Sequence, residues 1–119
     1  MVLQVDDDAA VRAVARRCLQ TAGHIVVEAG DGLPAWTRFQ RQPDAFDVLL
    51  TDVVMPRMPG TELAARVHDV RPELPVVLMT GYTPEDLLAR GLEASHGWLL
   101  TNPFSPETLL GAVGKALGT

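Results

Sequence analysis

The chain is short of cysteine, of positive charge and of long apolar runs, and each shortage removes a class of protein. Cys18 is alone among 119 residues, so no disulfide forms within the chain and nothing calls for an oxidising compartment. Basic residues number 10 against 15 acidic ones, a formal net charge of −5. Phosphate backbones are held by clustered Lys and Arg, so nucleic-acid binding through this chain is not expected. No apolar stretch approaches the ~20 residues that cross a bilayer, and no signal peptide is visible, so membrane insertion is not expected and a cytoplasmic location is. His24, His68 and His96 are dispersed without metal-ligand spacing and are expected at the surface. No repeat, low-complexity tract or internal linker interrupts the sequence.

What is present points to one packed domain. Hydrophobic residues make up 47% of the chain, enough for a real core. A chain of this length buries roughly two thirds of the surface its unfolded form exposes. Residues 1–119 are therefore read as a single domain.

The stretch Asp47-Val-Leu-Leu-Thr-Asp52-Val-Val-Met-Pro56 organises the rest. Val48 to Thr51 is a run of apolar or β-branched residues, the pattern of a strand covered on both faces in a parallel sheet. Pro56 and Pro59-Gly60 then open a loop. Asp52 is thus placed at the carboxyl end of a central strand, where open α/β sheets bind their ligands.

Taken in order, Val2 to Val5 reads as a first strand, followed by Asp6-Asp7-Asp8. Val11, Val14, Ala15, Cys18, Leu19 and Ala22 recur at helical spacing, with Arg12, Arg16, Arg17 and Gln20 on the opposite face. Asp8 is the expected N-cap and Gly23 the C-terminal stop. Cys18, on the apolar face, is expected to be an inert core residue. Ile25 to Glu28 is a short second strand. Gly30-Asp31-Gly32 forms a turn into a helix with Pro34 in its first turn, carrying Trp36 and Phe39 as packing residues.

Thr61 to Val70 reads as a third helix with Leu63, Ala64, Val67 and Val70 inward, ended by Arg71-Pro72. Val76 to Met79 is a fourth strand that finishes at Thr80-Gly81. Pro84 to Arg90 is a short helix and Trp98 to Leu100 a weaker fifth strand. Ser105 and Pro106 open the last helix, with Leu109, Leu110, Val113 and Leu117 as its buried stripe. Five strands alternating with five helices predict right-handed crossovers and a doubly wound α/β fold with a parallel sheet. Gln4 fits this reading poorly, since a covered strand needs a partner for its amide. Exposure near the N-terminus is its expected explanation.

In such a sheet the ends of the strands lie on one edge, so Asp6, Asp7, Asp52, Thr80 and Asn102 converge. Crowded carboxylates repel, and the repulsion is relieved by raised pKa values or a cation. An all-oxygen site with room for water suits Mg²⁺, or Mn²⁺, better than zinc or copper. Asp7 and Asp52 are the expected direct ligands, with Asp6 acting through water. The Thr80 hydroxyl and Gly81 N–H are placed to hold phosphate oxygens, and an Asp carboxylate can itself accept a phosphoryl group.

Four segments, Val5-Asp-Asp-Asp8, Thr51-Asp-Val-Val-Met-Pro56, Met79-Thr-Gly-Tyr82 and Asn102-Pro-Phe104, closely resemble the receiver domain of two-component response regulators. The resemblance covers essentially the whole chain, in order and at family spacing. It implies a flavodoxin-like receiver fold with strand order 2-1-3-4-5. It implies that Asp52 is the phosphoacceptor, that Asp6 and Asp7 hold Mg²⁺ together with the main-chain carbonyl of Val54, and that Thr80 is the switch hydroxyl. The phosphoryl donor would be a phosphohistidine on a partner histidine kinase or histidine phosphotransfer protein. Catalysis would extend at most to the chain's own phosphorylation and dephosphorylation. Output would pass through the face built by the fourth helix, fifth strand and fifth helix.

Two positions depart from the family pattern. Asn102 stands where the family has a Lys before Pro103, a neutral amide in place of a charge that pairs with the acidic site. Slower phosphorylation or weaker coupling follows from that loss. Leu99 replaces the aromatic switch, and Leu has no polar hydroxyl to swing between buried and exposed states. Val54 and Tyr82 flank the phosphoryl position and predict restricted water access, hence a slowly decaying phosphoryl group.

Two other readings compete. One is a degenerate receiver, an interaction module in which Asn102 has ended phosphorylation-dependent switching. The other is an Mg²⁺-dependent phosphohydrolase with a strand-end Asp nucleophile, which would carry an acid two residues on, where this chain has Val54. The chain begins in a strand and stops after a helix, so no output domain is expected within it. A stand-alone regulator or a segment linked to a kinase or output domain both fit, and the wording of the motifs leans toward a hybrid sensor kinase.

Overall fold

The computed structural model describes residues 1–81, 85, 98–101 and 104–118, with the backbone alone for 98, 99 and 101. Five parallel strands, β1 (Val2–Val5), β2 (Val26–Ala29), β3 (Val48–Asp52), β4 (Val76–Thr80) and β5 (Trp98–Thr101), form one sheet in the order β2-β1-β3-β4-β5. Four α-helices are found among the described residues: α1 (Ala9–Thr21), α2 (Gly32–Arg41), α3 (Gly60–Val70) and α4 (Pro106–Ala116). A 3-10 turn at Pro43–Ala45 precedes β3. The helix expected over Pro84 to Arg90 lies outside the described residues, Glu85 apart.

Successive side chains of a strand point to opposite faces, and both faces here are covered. Leu3, Val5, Leu49 and Leu78 pack with Ala35 and Phe39 of α2 and Leu63, Ala64 and Val67 of α3. Val2, Leu50, Val77, Met79 and Leu100 pack on the other side with Ala15 and Leu19 of α1 and Leu109 and Val113 of α4. This is why β1 and β4 are buried at every position and read as unbroken apolar runs apart from Gln4 and Thr80.

The helix ends follow their local chemistry. The Asp8 carboxylate accepts from the N–H groups of Ala10 and Val11, and Ser105 accepts from Thr108 N–H ahead of Pro106. Gly23 takes φ 95°, a left-handed conformation that a side chain disfavours, just past the end of α1.

Several side chains sit differently from the sequence expectation. Val14 is 55% exposed; it lies roughly 120° round the helix from the midpoint of Ala15 and Leu19, at 100° per residue. Val70, the last residue of α3, is also exposed. Arg71 beside it turns inward instead, donating to the carbonyls of Pro43 and Phe46 at 2.9 and 2.6 Å. Cys18 is half-buried against the core. His68 is half-buried, its Nε2 2.9 Å from the Leu74 carbonyl, while His96 lies outside the described residues. Gln4 is not at an exposed edge. It is fully buried, and its Nε2 donates to the Arg12 carbonyl at 2.8 Å, the partner that burial demands.

Candidate functional site

The register brings the acidic residues together. Val5 pairs with Thr51, so the next residues, Asp6 and Asp52, end adjacent strands at the same level. Asp6, Asp7 and Asp52 each present an oxygen within 4.8 Å of the other two. Their environments differ: Asp6 is buried, Asp52 half-buried and Asp7 exposed.

Burial raises the Asp6 pKa above the ordinary carboxylate value, and the charges of Asp7 and Asp8 add to it. The Asp8 N–H, 2.8 Å from Asp6 Oδ1, and the Arg12 guanidinium oppose the rise. Asp52 is pushed up to about 7, first by burial and then by the charges of Asp6 and Asp7, against the opposing main-chain N–H groups of Val54 and Val53. Convergent hard oxygens that repel one another fit a divalent cation such as Mg²⁺, which removes the repulsion and completes its shell with water.

The segment after Asp52 folds back onto β3. Val53 donates to the Met79 carbonyl at 2.9 Å, and Gly60 donates to the Val53 carbonyl at 2.8 Å. Gly60 starts α3 so close to β3 that a Cβ there would stand 2.0 Å from the Asp52 carbonyl oxygen. Met55 and Met58 are buried under the loop, while Val54 is 36% exposed.

An ion pair ties this loop to the neighbouring connection. Asp31 caps α2 through the Leu33 N–H at 3.1 Å and accepts from Arg57 Nε at 2.6 Å. The Leu33 hydrogen bond, then Arg57, holds the Asp31 carboxyl below the usual range. Asp31→Ala removes the cap and releases Arg57. It is expected to lower stability by about 1–2 kcal/mol in denaturant unfolding, and loss of the Arg57 tether should make the 53–59 loop more protease-sensitive.

Thr80 is buried at the end of β4, with Gly81 exposed just beyond it. Tyr82, Asn102 and Pro103 lie outside the described residues, as does the Leu99 side chain; the Leu99 backbone pairs with Leu78 in β5. The sequence reading missed three contributors to the site: Arg12, assigned to a solvent face; Gly60, read only as a loop opener; and the Asp31–Arg57 pair. Each acts through a contact between different elements or loops, 6 residues apart for Arg12 and 26 for Asp31–Arg57, which periodicity does not register. The Pro59-Gly60 pair was the one available signal.

A doubly wound sheet with an acidic trio at its carboxyl edge defines a receiver-type α/β protein. The chain belongs to the response regulator receiver domain family, whose sequence pattern matches residues 2–114. It is 33% identical over 116 residues to the response regulator receiver protein CpdR of Brucella abortus, covering 98% of this chain and 95% of that one. It is 35% identical to the sensor kinase CckA of the same organism, but spans 12% of that protein's length. The structure superposes with a TM-score of 0.86 on the chemotaxis protein CheY4 of Vibrio cholerae, at 34% identity, covering 98% of this chain and 97% of that one. No described helix is long and apolar enough to cross a membrane.

Proposed function

We propose that this chain is a cytoplasmic phosphorelay receiver, one domain over residues 1–119, that binds Mg²⁺ at Asp6, Asp7 and Asp52 and accepts a phosphoryl group on Asp52. The observation that carries the reading is the convergence of three carboxylates within 4.8 Å of one another around an Asp52 whose carboxyl is pushed up to about 7. A half-buried carboxylate at a strand end, once ionised beside a cation, can act as the nucleophile.

In the transfer, an Asp52 carboxylate oxygen forms the bond to phosphorus as the bond from phosphorus to the donor's imidazole nitrogen breaks. The imidazole leaves with the electron pair and takes a proton from solvent. Asp6, Asp7, Asp52 and the Val54 carbonyl would hold Mg²⁺, which would supply charge neutralisation for the carboxylates and the phosphoryl oxygens. The Thr80 hydroxyl and Gly81 N–H donate to those oxygens. Val54 and Tyr82 limit the approach of water, so the phosphoryl group decays slowly. The partner is a histidine kinase or histidine phosphotransfer protein, free or on the same polypeptide, and the output face includes β5 and α4.

Incubating the protein with Mg²⁺ and a small acyl phosphate tests this. A mass gain of one phosphoryl group, mapped to Asp52 and dependent on Mg²⁺, is the expected result. Absence of modification with Mg²⁺ bound favours the interaction-module reading, in which Asn102 has ended switching. Asn102→Lys restores the cation that the family pattern carries at this position and is expected to speed the reaction about tenfold or more; an unchanged rate would remove Asn102 from the explanation.

A further inference from the structure

The connection that carries Asp6 and Asp7 is gripped by two side chains outside the ligand set. Gln4 lies in β1 between Leu3 and Val5, wholly buried, and its Nε2 donates to the main-chain carbonyl of Arg12 at 2.8 Å. Arg12, in the first turn of α1, donates from Nη1 to the main-chain carbonyl of Asp6 at 2.6 Å. Its Nε faces Glu28 Oε1 at 3.4 Å, and Glu28 also receives Arg16 Nη1 at 2.9 Å. Gly30 leaves room for the guanidinium, since a Cβ there would stand 3.3 Å from Nη1. One residue is thus held through its main chain by Gln4, and its side chain holds the peptide that joins Asp6 to Asp7.

Gln4 is there at a cost to stability. Among the described residues its Oε1 is buried with no hydrogen-bond partner, and such an atom carries the full cost of its lost hydration. Val2, Leu3 and Val5 show that the strand otherwise holds apolar residues. A buried amide placed against local preference points to a functional or strained position, and its one hydrogen bond goes to Arg12.

We propose that Gln4 and Arg12 form a positioning pair that orients the Asp6–Asp7 peptide and thereby sets how tightly the acidic site holds a divalent cation. The orientation of that peptide fixes where both side chains start, so a small rotation parts the oxygens that now converge. The inference rests on the metal-binding reading above. Groups that hold a metal's ligands from behind typically change affinity 10–100-fold when removed.

The sign of the effect separates positioning from charge. If Arg12 acted only through its positive charge, removing it would tighten cation binding. Positioning predicts the reverse. Calorimetric titration with Mg²⁺ alone is expected to give a Kd raised about tenfold or more in both Arg12→Met and Gln4→Met, with partial recovery in Arg12→Lys, which restores one donor. Gln4→Met also removes the unpartnered amide, so its melting temperature without Mg²⁺ is expected to rise while its Mg²⁺ affinity falls, a combination that general destabilisation does not produce. A Kd unchanged in either Met variant, or tightened in Arg12→Met, overturns the pairing. Failure of the parent protein to bind Mg²⁺ overturns the metal-site reading and this inference with it.

Discussion

Asp52→Asn is expected to abolish phosphorylation and, without divalent cations, to make the domain more stable at neutral pH. The folded-state pKa of Asp52 is pushed up to about 7 from an ordinary value of 3.8. The folded protein therefore holds this proton more tightly than the unfolded chain does. Between about pH 4 and pH 7 the unfolded state binds fewer protons, so stability falls as pH rises through that window. At full strength a shift of this size is worth about 4 kcal/mol. The group is half-exposed, and solvent screening reduces the contribution to about 1–2 kcal/mol. Asp6, also raised, contributes with the same sign.

The uncharged Asn escapes this loss. In a chelator at pH 7.5 the variant should melt roughly 4–8 °C above the parent, and near pH 4 the two should nearly coincide. Mg²⁺ should reverse the order, because only the parent keeps all three carboxylates for the cation. A parent that gains stability between pH 5 and pH 7 relative to the variant would contradict the electrostatic account of the site.

Gly60→Ala is expected to be the most damaging single-methyl substitution in the described structure. The added Cβ would lie 2.0 Å from the Asp52 carbonyl oxygen, 2.9 Å from its carbonyl carbon and 3.1 Å from Thr51 Cγ2. The first two neighbours are backbone, so neither rotates away. Either β3 or the start of α3 moves, at a cost of about 3 kcal/mol and roughly 10–15 °C in melting temperature. Because the displaced atoms belong to Asp52, the stabilisation by Mg²⁺ should be lost as well. Gly111→Ala in α4 is the control: a Cβ there meets nothing within 4 Å, and Ala in place of a mid-helix Gly should stabilise by about 0.5–1 kcal/mol. Equal behaviour of the two variants would refute the close approach at Gly60.

The elements of this protein were largely legible along the chain. The runs at Val48–Thr51 and Val76–Met79 announced covered strands, Asp8 and Ser105-Pro106 marked helix starts, and Gly23 marked a helix end. These signals depend on residues within a few positions of one another, so they survive without tertiary knowledge. The choice of Asp6, Asp7 and Asp52 as converging residues followed from the same local reading, because a parallel sheet sends its strand ends to one edge.

Other features depended on which distant segments meet. Val14 and Val70 carry the right periodicity yet face solvent, since burial is set by where a helix meets the sheet. Arg12 carries the wrong periodicity yet reaches the Asp6 carbonyl, because its side chain is long enough to turn back along α1. Gln4 looked anomalous in a strand until the Arg12 carbonyl supplied its partner. Gly60 is confined by the Asp52 backbone, eight residues earlier in sequence but brought against it by the loop between them. Element identity and the acidic edge were written in short-range pattern. The raised proton affinity of Asp52, the clamp on the Asp6–Asp7 peptide and the space denied at Gly60 arose from tertiary packing, where dielectric, charge and contact distance take values that no linear spacing specifies.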